Sequence, residues 1–277
     1  MKDVITAFKE EKKFKYDRPW DVNPMFFPSD IITPPHYADT VEVLLCCGVS
    51  GEIFIGGEKT ALGGKQVFYI APRVVHSVFY KKNDGYVKIL KINVEKLCPM
   101  LDIGKFLERE GKTFLSLPHQ LPCFDEVNAV ADVFSGQAGI FEVCRSILSL
   151  FELLSLHSAP SGFESVKNDL SGHNLRKIIL WTENNYLNRI SLDCVSAIAG
   201  YEKHYFCNKF KKLTGISYLN YVNHLRIQHA CRLLSSGHSV SSACSECGFY
   251  NLSYFIQLFK STVGVTPKAY SSGKKEQ

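Results

Sequence analysis

Short apolar runs dominate residues 21–95: Val41 to Cys47, Glu52 to Ile55, Val67 to Ile70, Ser77 to Tyr80 and Tyr86 to Ile92. Gly56-Gly57, Gly63-Gly64 and Asn83-Asp84-Gly85 separate several of them. Runs this short, at this spacing, predict antiparallel strands in a sandwich or small barrel. Beyond Phe124 the period changes. Ile140, Val143, Ile147, Leu150, Phe151 and Leu154 recur at spacings of three and four, which predicts a helix with one broad apolar face. Asp125 to Phe134 reads as a shorter helix before it. The broad face must be covered, by the chain's own sheet or by the same helix in a second copy, and the pattern leaves both open. Between Leu156 and Asn174 the periodicity gives way to a stretch rich in Ser, Gly and Pro, which reads as a linker.

After the linker the chain uses one pattern twice. Ser191, Ser196, Gly200 and Tyr201 are matched 48 residues later by Ser239, Cys244, Gly248 and Phe249. Tyr205, Phe206, Phe210, Lys211 and Gly215 are matched 49 residues later by Tyr254, Phe255, Phe259, Lys260 and Gly264. Each copy opens on a Ser suited to cap a helix. A small residue four positions before a Gly lets two helices approach, and the Gly tolerates the positive φ that ends the first of them. This is the construction of a helix-turn-helix. Placing Phe206 inward and advancing about 100° per residue puts Phe210 and Leu213 inside and His204, Asn208 and Lys211 outside. The second copy places Phe255 and Phe259 inside and Ser253, Gln257 and Lys260 outside.

Composition sharpens this picture. A chain of 277 residues has a prior of roughly two domains of about 150 residues each. Its 45% hydrophobic and 21% charged residues exclude a disordered chain, and its length excludes a peptide toxin. The net charge of +5 is unevenly spread. From Asn174 onward there are 13 Lys and Arg against 5 Asp and Glu, whereas the first 173 residues carry 19 against 22. A basic half points to a polyanionic partner met by that half alone. No run approaches eighteen apolar residues, and the start Met1-Lys2-Asp3 through Lys12-Lys13 is too charged for a signal peptide; a cytoplasmic protein with no membrane partner is expected. The ten cysteines lack a disulfide framework. Cys244 and Cys247 form a C-x-x-C with no second ligand pair in range, so they read as core thiols and not as a metal site.

From about Asn174 to Tyr270 the sequence resembles the DNA-binding domain of AraC/XylS-type transcription regulators. The resemblance rests on Gly248-Phe249, Tyr254-Phe255, Phe259-Lys260, Gly264-Val265-Thr266-Pro267 and Tyr270. It implies two helix-turn-helix units bridged by a long helix, near Tyr218 to Leu234, and an N-terminal cupin-like domain for effector binding or dimerisation. The expected fold is therefore α+β in two domains. A cupin-like antiparallel β-barrel or sandwich with a helical pair occupies 1–157, the linker 158–173, and an all-α tandem helix-turn-helix domain 174–277. Three departures stand out: Glu202-Lys203 occupies the place of the family's frequent Ser-Pro, Ala243-Cys244 that of its frequent Ile-Ala, and Gln257 that of an outward Arg. An amide suits adenine where a guanidinium suits guanine, so the second half-site is expected to prefer an A·T pair.

These readings give Lys203, His204, Cys207, Asn208, Lys211, Lys212, Leu252, Ser253, Ile256, Gln257 and Lys260 as the expected DNA-binding residues. In the first domain, Pro34-Pro35-His36 followed by Glu42, with His76 after Ala71-Pro72-Arg73, resembles the ligand set of cupin barrels, but Ala38 stands where a further ligand belongs. His36, Glu42, Tyr69 and His76 are the expected effector-binding residues. No catalytic residue, metal or cofactor is expected: the chain has no G-x-S-x-G, no H-E-x-x-H and no intact phosphate loop. The expected function is a one-component, sequence-specific regulator, an activator by family habit. Its partners are double-stranded promoter DNA, a small-molecule effector, a second copy joined through the N-terminal domain, and RNA polymerase. Two alternatives remain at this stage: a metal-dependent cupin enzyme with a DNA-binding appendage, in which two His and one Glu form a facial triad, and a regulator without a small-molecule ligand.

Overall fold

The computed structural model describes residues 20–26, 30–93, 96, 120–121, 123–136, 139–156 and 173–272. It divides into two compact units at Gly172/His173. The linker expected at 158–173 lies outside the described residues except for His173, which opens a helix.

The first unit carries nine described strands. They are β1 (Trp20–Phe26), β2 (Ile31–His36), β3 (Val41–Cys47), β4 (Ser50–Ile55), β5 (Glu58–Leu62), β6 (Lys65–Ile70), β7 (His76–Lys81), β8 (Tyr86–Ile92) and β9 (Gln120–Leu121). They form two antiparallel sheets, ordered β1-β8-β3-β6-β9 and β2-β7-β4-β5. The five strands expected from apolar runs are present. Strands β1, β2 and β5 have no such run, for a physical reason. Proline cannot donate to a ladder and is confined to sheet edges and bulges. Strands β1, with Pro24, and β2, with Pro34-Pro35, are both edge strands, and β2 shifts register between Thr33 and His36. Strand β5 is a largely exposed polar edge.

Two further helices, α1 (Phe124–Ser135) and α2 (Ile140–Leu156), lie against the first sheet. Its β3 is buried on both faces, because alternate residues serve two cores. Val41, Val43 and Leu45 join Val67, Tyr69 and Leu90 under Val127, Phe134, Val143, Ile147 and Leu150 of the helices. Leu44 and Cys46 join Phe68, Ile70 and Val87, and meet Ile31, Ile53, Ile55, Val78 and Tyr80 of the second sheet. Lys65 to Asp125 at 3.0 Å and Lys88 to Asp132 at 2.7 Å tie strands to α1.

The second unit consists of α3 (His173–Asn185), α4 (Leu192–Ala199), α5 (Lys203–Thr214), α6 (Tyr218–Ser235), α7 (Val240–Glu246), α8 (Leu252–Val263) and α9 (Pro267–Ser271). The repeat in sequence is a repeat in structure. Ser191 and Ser239 cap α4 and α7 by accepting the backbone N–H of Cys194 and Ser242. At the far ends Tyr201 N–H donates to Ser196 O and Phe249 N–H to Cys244 O, both at 3.0 Å, so both helices close on the same backbone arrangement with Gly200 or Gly248 left-handed. The aromatic anchors then pack on α6. Phe206 and Phe210 meet Tyr218 at ring separations of 5.3 Å, and Phe255 and Phe259 join Ile227, Ala230, Cys231 and Leu234. Cys244 and Cys247 are part of that core, and burial pushes the Cys247 thiol up to about 12.

The two turn glycines differ in surroundings. A Cβ on Gly200 meets open space, whereas one on Gly248 would lie 2.6 Å from Leu187 O and 3.2 Å from the Arg226 guanidinium. Gly200→Ala should cost about 1 kcal/mol, the usual strain of a left-handed Ala. Gly248→Ala should cost at least about 1 kcal/mol more, because backbone must move. Urea unfolding followed by helical circular dichroism checks this; equal losses would show that the 187 loop yields freely.

Candidate nucleic-acid interface and a buried polar cluster

The outward faces of α5 and α8 are built from equivalent positions. His204, Asn208 and Lys211 on α5 are exposed, and so are Ser253, Gln257 and Lys260 on α8, each triplet at i, i+4 and i+7 on one helical face. Lys212 is exposed beside the first triplet and Leu252 beside the second, while Cys207 and Ile256 are half-buried at matched positions. Lys203 is half-buried and pairs with Asp193 at 3.0 Å, so part of its charge is already engaged within the unit. The remaining groups are hydroxyl, amide, imidazole and ammonium, the types that hydrogen-bond base edges and phosphates.

Three features escaped the sequence reading. Glu202 caps α5, its carboxylate accepting the backbone N–H of His204 and Tyr205 at 2.8 and 3.1 Å. These bonds hold the carboxyl below its ordinary range. The departure from Ser-Pro thus substitutes one N-terminal device for another. Tyr250, just before Asn251 at the α8 N-cap, is 86% exposed. Finally Arg226 of α6 donates through Nε to Tyr186 O at 2.7 Å and through its terminal nitrogen to Asn188 O at 2.8 Å. Its guanidinium stands 5.6 Å from the Phe249 ring centroid. It therefore fastens the loop entering the first helix-turn-helix to the turn of the second. Its setting within a helix gave no signal, since the partners are backbone carbonyls.

The charge on the two faces is unequal. Helix α5 holds Lys203, Lys209, Lys211 and Lys212, and α8 holds Lys260 alone.

In the first unit, His36, Glu42 and His76 converge between the two sheets. Glu42 alternates with Val41 and Val43 and so faces the second sheet, where His36 and His76 are cross-strand partners. Glu42 Oε2 lies 3.2 Å from His76 Nε2, and Glu42 Oε1 2.6 Å from Lys91 Nζ. The imidazole centroids are 4.1 Å apart. Glu42 and His76 are each only 3% exposed. Burial alone would raise the Glu42 carboxyl, but the His76 hydrogen bond and the charges of His76 and Lys91 outweigh it and hold it well below the carboxylate range. Burial, with the His76 charge adding, pushes the His36 imidazole down to about 3, so His36 is neutral in its site.

Tyr69, expected with these three, does not join them. It pairs in register with Val43 and lies on the helix-covered face of the sheet, opposite Glu42. The period of two that places Glu42 inside places Tyr69 outside the inter-sheet space. Lys91, which was not expected, takes its place through its pairing with Glu42 across β3 and β8.

A helix-turn-helix domain model matches residues 195–273. An uncharacterised HTH-type transcriptional regulator in the cgkA 5′ region of Pseudoalteromonas carrageenovora is 33% identical over 127 residues, 46% of this chain and 74% of that protein. The transcriptional activator RhaS of Klebsiella pneumoniae is 22% identical over 256 residues, 87% of this chain and 88% of its own. Among solved structures, ToxT of Vibrio cholerae aligns with 94% of this chain and 100% of its own at 13% identity, with a TM-score of 0.47.

The uneven lysines make a quantitative expectation. Each phosphate contact contributes about −0.9 to the slope of log affinity against log salt. Lys211→Gln and Lys212→Gln should each flatten that slope by about one unit, and Gln257→Ala should leave it unchanged. Fluorescence anisotropy on a fixed duplex over a salt series reads the slope; an unaltered slope in the α5 double variant would remove this face from the phosphates.

Proposed function

The chain belongs to the AraC/XylS type of helix-turn-helix transcription regulators, and from that premise we propose that it binds promoter DNA by laying α5 and α8 in successive major-groove segments. The observation that carries this reading is the matched pair of exposed triplets, His204-Asn208-Lys211 and Ser253-Gln257-Lys260, each backed by buried aromatic anchors on one bridging helix. The bridge has 18 residues and spans about 27 Å at 1.5 Å per residue. Successive major-groove segments lie about 34 Å apart, so a bridge of this length suits two helices reading one face of the duplex. One chain then reads an asymmetric site without needing a palindrome.

The same reading makes the protein a regulator and not an enzyme, an activator working in the cytoplasm and contacting RNA polymerase. No helix among the described residues is long and apolar enough to cross a membrane. Its signal is a small molecule received by the β domain, with His36, Glu42 and His76 as the polar end of the receiving site. Control requires only that the effector bind one arrangement of the protein better than another.

The test is selection of binding sites from random duplexes. Wild type should return an A·T pair opposite Gln257, and Gln257→Ala should relax that position by about 1–3 kcal/mol of discrimination while leaving the rest of the site unchanged. Recovery of guanine there by both proteins would reject the assignment of α8, and failure to select any sequence would reject the function.

The same proposal puts the second copy on the outer face of α2. Its inner face, Val143, Ile147, Leu150 and Phe151, is buried in the chain's own core, yet Phe141 is 88% and Leu156 73% exposed. Leu148, Arg145 and Glu152 are exposed on the same side. Two such helices packed antiparallel about a two-fold axis between 148 and 149 would set Phe141 against Leu156 and Arg145 against Glu152, twice over. Arg145→Glu and Glu152→Arg should each raise the dimer dissociation constant about tenfold, or 1.4 kcal/mol. The double exchange should restore it, as read by sedimentation of the full chain. A double variant no better than either single one would place the interface elsewhere.

A further inference from the structure

Both imidazoles of the inter-sheet cluster have their tautomers fixed by the backbone. A carbonyl oxygen can only accept, so His36 Nδ1–H donates to Pro34 O at 2.9 Å and His76 Nδ1–H donates to Val74 O at 3.1 Å. Nε2 is then the nitrogen each ring can offer to a ligand; on His76 it carries the proton shared with Glu42 when no ion is bound, and an ion would take that proton's place. Orienting a ligating histidine through its other nitrogen in this way is the usual second-sphere arrangement of metal sites. Glu42 Oε2 also offers lone pairs, at 3.2 Å from His76 Nε2. Two acceptors at that distance repel unless a positive charge lies between them, and either a proton or a metal ion meets that need.

The distances admit an ion as readily as a proton. Bonds of about 2.1 Å from one metal to a nitrogen and an oxygen put those atoms about 3.0 Å apart at a right angle and about 3.4 Å apart at a tetrahedral angle. The observed 3.2 Å falls between, and the donor atoms of all three residues lie within 4.8 Å of one another. A proton alone accounts for the His76–Glu42 pair. It leaves unexplained why a second imidazole, on an edge strand, stands with its ring centroid 4.1 Å from the first and brings a third donor atom into the same cluster.

We propose that the β domain binds one divalent first-row transition-metal ion between its sheets through His36 Nε2, Glu42 Oε2 and His76 Nε2. Two imidazoles and a carboxylate suit zinc, iron(II), cobalt(II) or nickel(II) better than magnesium or calcium, which demand more oxygen donors. Lys91 stays on Glu42 Oε1 and leaves Oε2 for the ion. Three protein donors leave at least one coordination position open. The regulatory consequence rests on the function proposed above: an oxygen-donor effector can fill that position and so be sensed by the β domain. Metal binding itself stands on the geometry alone.

The test uses the full chain, stripped with a chelator and titrated with cobalt(II). One equivalent per chain should bind, with the visible d–d absorption of nitrogen and oxygen ligands, and saturating metal should raise the thermal midpoint. Glu42→Gln and His36→Ala should each weaken uptake at least tenfold, with the wild-type circular dichroism kept by His36→Ala. His36 is half-buried on an edge strand, so His36→Ala reports even if Glu42→Gln unfolds the domain. No stoichiometric uptake by wild type, uptake unchanged in His36→Ala, or a thiolate charge-transfer band placing the ion on cysteine would each overturn the proposal. Specific DNA binding without metal uptake would overturn this site and leave the regulator standing, whereas one bound ion lost in His36→Ala supports the site whatever the DNA assay returns.

Discussion

The geometry of the C-terminal unit depends on α6 accepting two sets of aromatic anchors along one rigid helix. Phe206 and Phe210 dock on Tyr218 and Tyr221 near its start, and Phe255 and Phe259 dock beside Ile227, Ala230, Cys231 and Leu234 toward its end. Close-packed cores do not deform continuously, so the separation of α5 and α8 is set by where these rings sit. Arg226 adds a second constraint midway along α6. Its guanidinium satisfies the carbonyls of Tyr186 and Asn188 and lies over Phe249, and the close backbone approach of Leu187 to Gly248 is possible only because no side chain stands there. A DNA duplex presents its grooves at fixed intervals, and the unit answers with an interval fixed by packing.

Much of this was legible in the sequence because the repeat is written in residues whose roles are local. A Ser cap, a small buried residue, a left-handed Gly and an i, i+4 aromatic pair each act within a few positions, so their recurrence at 48 and 49 residues reports structure directly. The outward positions followed from the inward ones by helical geometry alone. Glu202 as a cap, Arg226 as a tie and Tyr250 as an exposed ring were not legible. Their partners are backbone groups or solvent, and neither leaves a pattern in side-chain type.

The β domain divides along the same line. Its central strands showed as apolar runs because β3 serves two cores at once, but the edge strands β1 and β2 carry prolines that a run-based reading rejects. The convergence of His36, Glu42 and His76 could not be read, since it depends on two sheets facing each other and on β2 shifting register just before His36. Parity explains the one misplaced residue. Tyr69 and Glu42 lie on adjacent strands of one sheet, yet register puts Tyr69 opposite Val43 and therefore on the other face.

In the docking proposed above, the unequal lysine content of α5 and α8 would divide the task of binding between them. Phosphate contacts supply affinity without sequence information, while base-edge contacts supply about 1–3 kcal/mol of discrimination each. Helix α5 concentrates the cations and so suits anchoring. Helix α8 presents Leu252, Ser253, Ile256 and Gln257 with a single lysine; its amide and apolar groups match adenine and the thymine methyl. Because both helices are bolted to α6, anchoring by the first brings the second to its groove at no further cost in translational freedom. A weakly charged α8 can then read a half-site that it would not hold alone.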